Sequence, residues 1–175
     1  IKNLADHFQL PPNAEVLDIA CGRGRHSVFL NKLGYKVTGI DLSRNNIKFA
    51  KQFENDRLKF KVHDMCQPMS STFDAVFNLF TSFGYFDTDQ ENLNAIKAMK
   101  ANMKSGACGV IDFMNCKREI KHLKPYREFE IDHILFKINK WSDEDYIYKK
   151  INFEDEDGEH NYVERVKILT LKDFE

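Results

Sequence analysis

Along residues 1–115, short apolar runs alternate with amphipathic stretches. Val16-Leu17-Asp18-Ile19-Ala20 has the make-up of a buried strand, and Arg25 to Leu33 then repeats apolar residues at Val28, Phe29 and Leu33 with helical spacing before Gly34 stops it. Lys36 to Asp41 predicts a second strand, and Ser43 is placed to cap a helix carrying Ile47, Phe49, Ala50 and Phe53. Leu58 to His63 alternates as a third strand. Asp74 to Phe80 is almost continuously apolar, as a central parallel strand must be when both of its faces are covered. Glu91 to Met103 brings Leu93, Ile96, Met99 and Met103 onto one helical face, with Ser105-Gly106 as the expected stop, and Ala107 to Phe113 predicts a fifth strand. Strand-helix units joined by short connections imply right-handed crossovers, and so an α/β fold with a doubly wound, mostly parallel sheet.

After Asn115 the rhythm changes. Lys117 to Lys124 is a charged stretch ending before Pro125. From Glu128 onward, strand-like runs are separated by the turn signals Ser142 to Asp145 and Asp155 to Gly158. The expectation is an antiparallel meander whose acidic cluster, Glu154 to Glu159, is a solvated hairpin tip. The chain therefore reads as one domain over residues 1–175, with a ligand-binding core at 1–115 and an antiparallel insertion at 116–175 acting as a lid or dimer surface. Ile1 to Phe8 and Leu171 to Glu175 both read as parts of helices cut short, which points to a longer parent chain.

Charge narrows the partners. The 175 residues carry 26 Lys and Arg against 27 Asp and Glu, a net charge of -1, which gives no general attraction to nucleic acid or an anionic membrane. No apolar run approaches the roughly 20 residues of a membrane span, and no targeting pattern opens the sequence, so a cytoplasmic location is expected. Cys21, Cys66, Cys108 and Cys116 show neither paired spacing nor histidine neighbours, and no metal site is expected.

The candidate chemistry falls at strand ends. In open parallel sheets, ligands bind beyond the carboxyl ends of the strands, where the strand order reverses. Gly22 and Gly24 follow the first strand and open a helix, the context in which glycines let a ligand approach the backbone. Asp41 ends the second strand, where a carboxylate can accept both hydroxyls of a ribose or simply cap the following helix. Asp64 ends the third and can accept from an adenine amino group, with Met65 packing on the ring. An adenosine-containing ligand is implied.

Val16 to Ser27, Val37 to Ser43, His63-Asp64-Met65 and Phe77 to Phe86, in that order, resemble segments of the class I S-adenosylmethionine (SAM) dependent methyltransferases, in particular a small bacterial group with a D-x-A-C-G-x-G-R-H-S loop. That resemblance implies methyl transfer from SAM to a small-molecule acceptor. Asp18 and the backbone of Ala20, Cys21, Gly22 and Gly24 would approach the methionine part of the cofactor. Asp41 would hold the ribose, Leu42 and Met65 would flank adenine, and Asp64 would meet its amino group. Asn78 to Phe83, including Phe80, would line the methyl-donor side, and Phe83, Tyr85 and Phe86 would wall a substrate pocket, although core packing explains these rings equally well. Ala20 stands where many members have glycine. Comparison with the family also leaves the fifth strand without its usual neighbours, so that its edge, or the meander, would serve a homodimer.

No residue stands out as the catalytic base. His26 reads as structural or cofactor-proximal, and Tyr85, His122 and His133 are only possible pocket residues. Two alternatives stay open: a methyltransferase-like domain that binds SAM or a partner without catalysis, and an NAD-dependent oxidoreductase. The latter wants a third glycine where Ser27 stands.

Overall fold

In the computed structural model, which describes residues 1–175, the chain forms two compact units, residues 1–83 with 87–113 and residues 84–86 with 114–175. The first is built on β1 (Glu15–Ile19), whose residues Val16, Leu17 and Ile19 are buried on alternating faces. With β2 (Lys36–Asp41), β3 (Leu58–Val62), β4 (Phe73–Asn78) and β5 (Met103–Ile111) it makes a parallel sheet of order β3-β2-β1-β4-β5. On one face Val16, Phe60 and Phe77 pack with Leu30 of α2 (Arg25–Lys32) and Ile47 of α3 (Arg44–Ala50). On the other, Leu17, Ile19 and Ile40 pack with Met99 of α4 (Asp89–Ala101). Both faces are covered, so the strands are apolar throughout, and truncating Leu17 to alanine would cost about 2–5 kcal/mol. A short helix, α1 (Lys2–His7), adds Ile1, Leu4 and Phe8 to the first cluster. The strand order reverses between β1 and β4, which opens a crevice at their carboxyl ends.

The expected strands and helices form, with shifts that have local causes. Thr88 caps α4 through a reciprocal box with Glu91, so the helix starts two residues earlier than its apolar pattern suggests. It ends at Ala101, before the expected Ser105-Gly106 stop. Asn102, 1% exposed, closes it: its side chain accepts from the Met69 amide at 2.7 Å, and its carbonyl from the Phe73 amide at 2.8 Å. β5 thus begins at Met103. Its pairing with β4 jumps from Phe73↔Met103 to Ala75↔Cys108, and Gly106, at φ +76, lies within that irregularity.

In the second unit the charged stretch after Asn115 is a helix, α5 (Cys116–Lys121), whose first turn is capped by the Asn115 side chain accepting from the Arg118 amide. An antiparallel sheet follows, β6 (Tyr126–Ile131), β7 (Ile134–Ser142), β8 (Tyr146–Asp155) and β9 (Gly158–Lys167), in sequential order. The meander begins at Tyr126, slightly before the expected Glu128. Alternation gives the sheet two faces. Phe129, Phe136 and Phe153 form a ring ladder on one, with centroids 5.6 and 4.8 Å apart, while Trp141 and Tyr148 stack at 5.1 Å on the other. The Asp143 side chain accepts from the Asp145 and Tyr146 amides and sets the β7–β8 turn. Gly84 joins this unit because its carbonyl accepts from the Lys167 amide at 2.8 Å. No helix is long and apolar enough to cross a membrane.

Candidate active site

The loop after β1 turns on three residues with positive φ: Ala20 (55°), Gly22 (56°) and Gly24 (83°). The two glycines are needed for different reasons. A Cβ on Gly24 would lie 2.6 Å from the Phe60 ring, so packing excludes a side chain there. A Cβ on Gly22 would meet nothing within 4 Å; that glycine lies beside open space. The loop is tied to β2, because the Cys21 amide donates to the Ile40 carbonyl at 2.9 Å and the Gly22 amide donates to Asp41 Oδ2 at 2.9 Å.

Asp41 therefore has two neighbours already. Its Oδ1 accepts from the Ser43 amide at 2.8 Å, while the Ser43 hydroxyl caps α3 by accepting from the Asn46 amide. A carboxylate has about four lone-pair sites, so with two occupied it can still accept from two hydroxyls. Asp41 lines a cleft of about 350 Å³ together with Ala20, Cys21, Gly22, Leu79 and Phe80. A neighbouring cleft of about 470 Å³ shares His26, Leu79 and Phe80 with it, but only the 350 Å³ cleft is lined by the glycine loop and Asp41; two cavities lined by second-unit residues alone are of about 650 and 540 Å³.

Asp18 is held differently. It is 1% exposed, and its Oδ2 accepts from the Ser27 hydroxyl at 2.5 Å. Burial raises its pKa to about 6, more than the Ser27 bond lowers it, and the charge of Asp41 adds to the rise. Ser27 closes the D-x-A-C-G-x-G-R-H-S loop and stands where a dinucleotide loop has its third glycine; its pairing with Asp18 joins α2 to β1. Burial, reinforced by Asp18 and Asp41, also pushes the Cys21 thiol up, so it stays protonated and is no nucleophile at neutral pH. Burial and then Arg25 lower the pKa of His26, leaving its imidazole neutral.

Asn78 is 1% exposed and donates its Nδ2 to the Ile19 carbonyl at 3.3 Å, while its Oδ1 is buried without a partner. A buried acceptor left unmade is unfavourable, and a donor supplied by a ligand would satisfy it. Beyond it, Phe80 and Thr81 both hold positive φ, 70° and 54°, a strained pair for residues with side chains. The Phe80 amide donates to Asp112 Oδ2 at 3.1 Å, and the Arg25 guanidinium lies 5.0 Å from the centre of its ring, which is 72% exposed. Arg25 is the arginine of the D-x-A-C-G-x-G-R-H-S loop, whereas Asp112 had no local signal in the sequence.

Leu42 is 73% exposed at the end of β2, and Met65 is half-buried against the Leu17 cluster. Asp64 is exposed, its Oδ1 accepting from the Cys66 amide at 2.9 Å. Phe83 is buried in the first unit, whereas Tyr85 and Phe86 belong to the second.

A glycine loop, a strand-end carboxylate and the exposed Phe80 ring line one cleft at the switch point, and residues 16–106 match the family described as a methyltransferase domain. The chain belongs to this methyltransferase family. A putative methyltransferase, YqeM, from Bacillus subtilis (strain 168) is 34% identical over 94 residues, which cover 51% of this chain and 38% of that protein. The chain thus spans well under half of that relative. A SAM-dependent methyltransferase from Clostridium acetobutylicum has the same fold, with a TM-score of 0.79 over 99% of this chain and 74% of that one at 17% identity. So does the sugar N-methyltransferase KedS8 from Streptoalloteichus, with a TM-score of 0.78 over 99% and 73% at 18% identity.

The methyltransferase cradle passes a test of fit for SAM on its own geometry. Gly22 leaves space where a side chain would intrude, Asp41 keeps acceptor capacity for a ribose, and Asn78 has an unmet buried acceptor.

Proposed function

We propose that this protein transfers the methyl group of SAM to a small-molecule acceptor. The carrying observation is the open space beside Gly22 together with Asp41, which reaches from β2 to the same loop. When bound, SAM supplies a methyl group already activated on sulfur. The chain's own part is to bind and orient. Asp41 would accept from the ribose, the Ala20–Gly24 backbone would lie along the methionine portion with Asp18 behind it, Leu42 and Met65 would flank adenine, and Asp64 would accept from its amino group. Asn78 and Phe80 would border the reacting side, with Phe83, Tyr85 and Phe86 assigned to the acceptor. Positioning two reactants in line is a large share of such catalysis, and a base is needed only for an acceptor whose proton is held tightly. No base is assigned.

The name of KedS8 makes a sugar amine one reasonable acceptor to assay first. This reading also takes the protein as cytoplasmic, without nucleic-acid partners, and forming a homodimer through the β5 edge or the meander, which light scattering would test. Against an NAD-dependent reading, Ser27 is fully buried on Asp18, where a third dinucleotide-loop glycine would stand.

Calorimetry with SAM and S-adenosylhomocysteine tests the proposal. Asp41→Ala is expected to weaken either ligand by about 1–3 kcal/mol through lost hydrogen bonds to a charged acceptor. Absence of binding at millimolar ligand sinks the SAM assignment, and unchanged affinity in the variant sinks the role of Asp41. Binding of SAM with no turnover across an acceptor panel would make the domain a non-catalytic binder.

A further inference from the structure

The second unit holds a cavity of about 540 Å³ between α5 and the β6–β9 sheet, lined entirely by its own residues. Its floor is apolar: Ile138 and Val166 are buried, and Ile147 and Phe129 complete it. Its walls are not. Lys124, Arg127, Lys140 and Lys149 line it against only two carboxylates, Glu119 and Glu164, in a chain whose net charge is -1.

The pairing of these charges is uneven. Lys149 donates to Glu164 at 3.0 Å across the β8–β9 ladder, which occupies one carboxylate. Lys140 sits directly opposite Lys149 in the β7–β8 register, an arrangement of like charges that opposes folding. Lys124, Arg127 and Lys140 form no ion pair, and only Glu119 remains to balance them. The Arg127 guanidinium lies 4.7 Å from the Phe129 ring centroid, a contact that leaves its N–H donors available. Tyr85 brings a phenol to the same wall. Three cations gathered over an apolar floor, with one carboxylate left to balance them, suit an anion better than they suit folding.

We propose that this cavity binds a ring-bearing organic diphosphate of nucleotide size, its phosphates among Lys124, Arg127 and Lys140 and its ring against Phe129. The volume lies within the usual range for sites of small organic ligands, and two or three negative charges match the three unpaired cations. The cavity shares no lining residue with the glycine-loop cleft and only Tyr85 with the residues assigned to the acceptor, so the proposal stands whether or not the protein transfers methyl groups.

The test is calorimetry of the full chain with uridine 5′-diphosphate, with and without S-adenosylhomocysteine. Uridine 5′-diphosphate is expected to bind equally well in both cases and in Asp41→Ala. Uridine and pyrophosphate should each bind at least about tenfold more weakly, since each lacks one half of the contacts, and Arg127→Gln and Lys140→Gln should each weaken the diphosphate by about tenfold. Lys150→Gln, on the opposite face of the sheet, should change nothing. The unliganded Lys140→Gln protein should melt no lower than the parent, because the substitution relieves repulsion; a lower melting temperature would count against it. No binding at millimolar concentration, binding displaced by S-adenosylhomocysteine, pyrophosphate binding as well as the nucleotide, or affinity undiminished in Arg127→Gln and Lys140→Gln would each overturn the proposal. Failure to bind S-adenosylhomocysteine would sink the SAM reading and leave this one intact.

Discussion

Replacing Ser27 with alanine removes the one hydroxyl that reaches the buried Asp18 carboxylate, and the size of the effect should depend on pH. Asp18 has a pKa raised from 3.8 to about 6 in the folded state. At about 1.4 kcal/mol per pKa unit, ionising it inside the fold disfavours the native state by on the order of 3 kcal/mol at neutral pH. Between pH 4 and 6 the folded chain holds a proton that the unfolded chain has released, so this group's contribution is most favourable at low pH and declines as pH rises through 6. The Ser27 bond, 2.5 Å long, limits that decline by stabilising the charged form. Without it, Ser27→Ala should lose about 1–3 kcal/mol at pH 7.5, where the carboxylate is ionised, and clearly less at pH 5, where most of it is protonated. Asp18→Asn should be no less stable than the parent at pH 7.5 and should flatten the dependence between pH 5 and 7. Urea denaturation at the two pH values measures all three proteins. An equal loss for Ser27→Ala at both would refute the argument, because it would mean that the hydroxyl serves packing and not the charge.

Gly24→Ala drives a Cβ into the Phe60 ring at a positive φ and should destabilise by about 2–4 kcal/mol in urea titrations, as overpacking joined to backbone strain. Gly22→Ala meets no atom and should lose only about 1 kcal/mol of stability from its φ, yet weaken S-adenosylhomocysteine measurably by calorimetry. Ala20→Gly relaxes a left-handed residue and should raise stability by up to about 1 kcal/mol, read as a higher melting temperature. Lys104 bridges Glu15 and Asp74 at 2.8 and 3.1 Å, but all three side chains are about a third or more exposed, so Lys104→Ala should barely move the urea midpoint, and less still at high salt.

Much of the first unit was legible because its strands are buried on both faces and its turns are chemically explicit. β2 has the bounds its pattern predicts, and Ser43 caps α3. The α4–β5 junction was misread for a physical reason. Met103 continues the helical spacing from Met99, and both side chains do pack toward Gly109, but Met103 does so from a strand. Periodicity reports which side a residue faces and is silent on the backbone that brings it there. The positive φ of Phe80 and Thr81 had no signal at all, since neither is glycine or asparagine. In the second unit α5 was hidden because its charged residues carry no apolar stripe.

At the site, the glycines and Asp41 could be read from spacing, but the ties that hold them could not, because each joins residues on different elements. Asp18 and Ser27 fasten β1 to α2, while Cys21 to Ile40 and Gly22 to Asp41 fasten the loop between them to β2. The loop is clamped on both sides before any ligand arrives, so little of the binding free energy is consumed in ordering it. In the proposed SAM site, Ser27 would therefore act through position alone. Ser27→Ala should lower the affinity for S-adenosylhomocysteine at pH 7.5 and much less at pH 5, where a protonated Asp18 no longer repels Asp41. A loss of affinity that did not follow pH would instead mean that the hydroxyl meets the ligand itself.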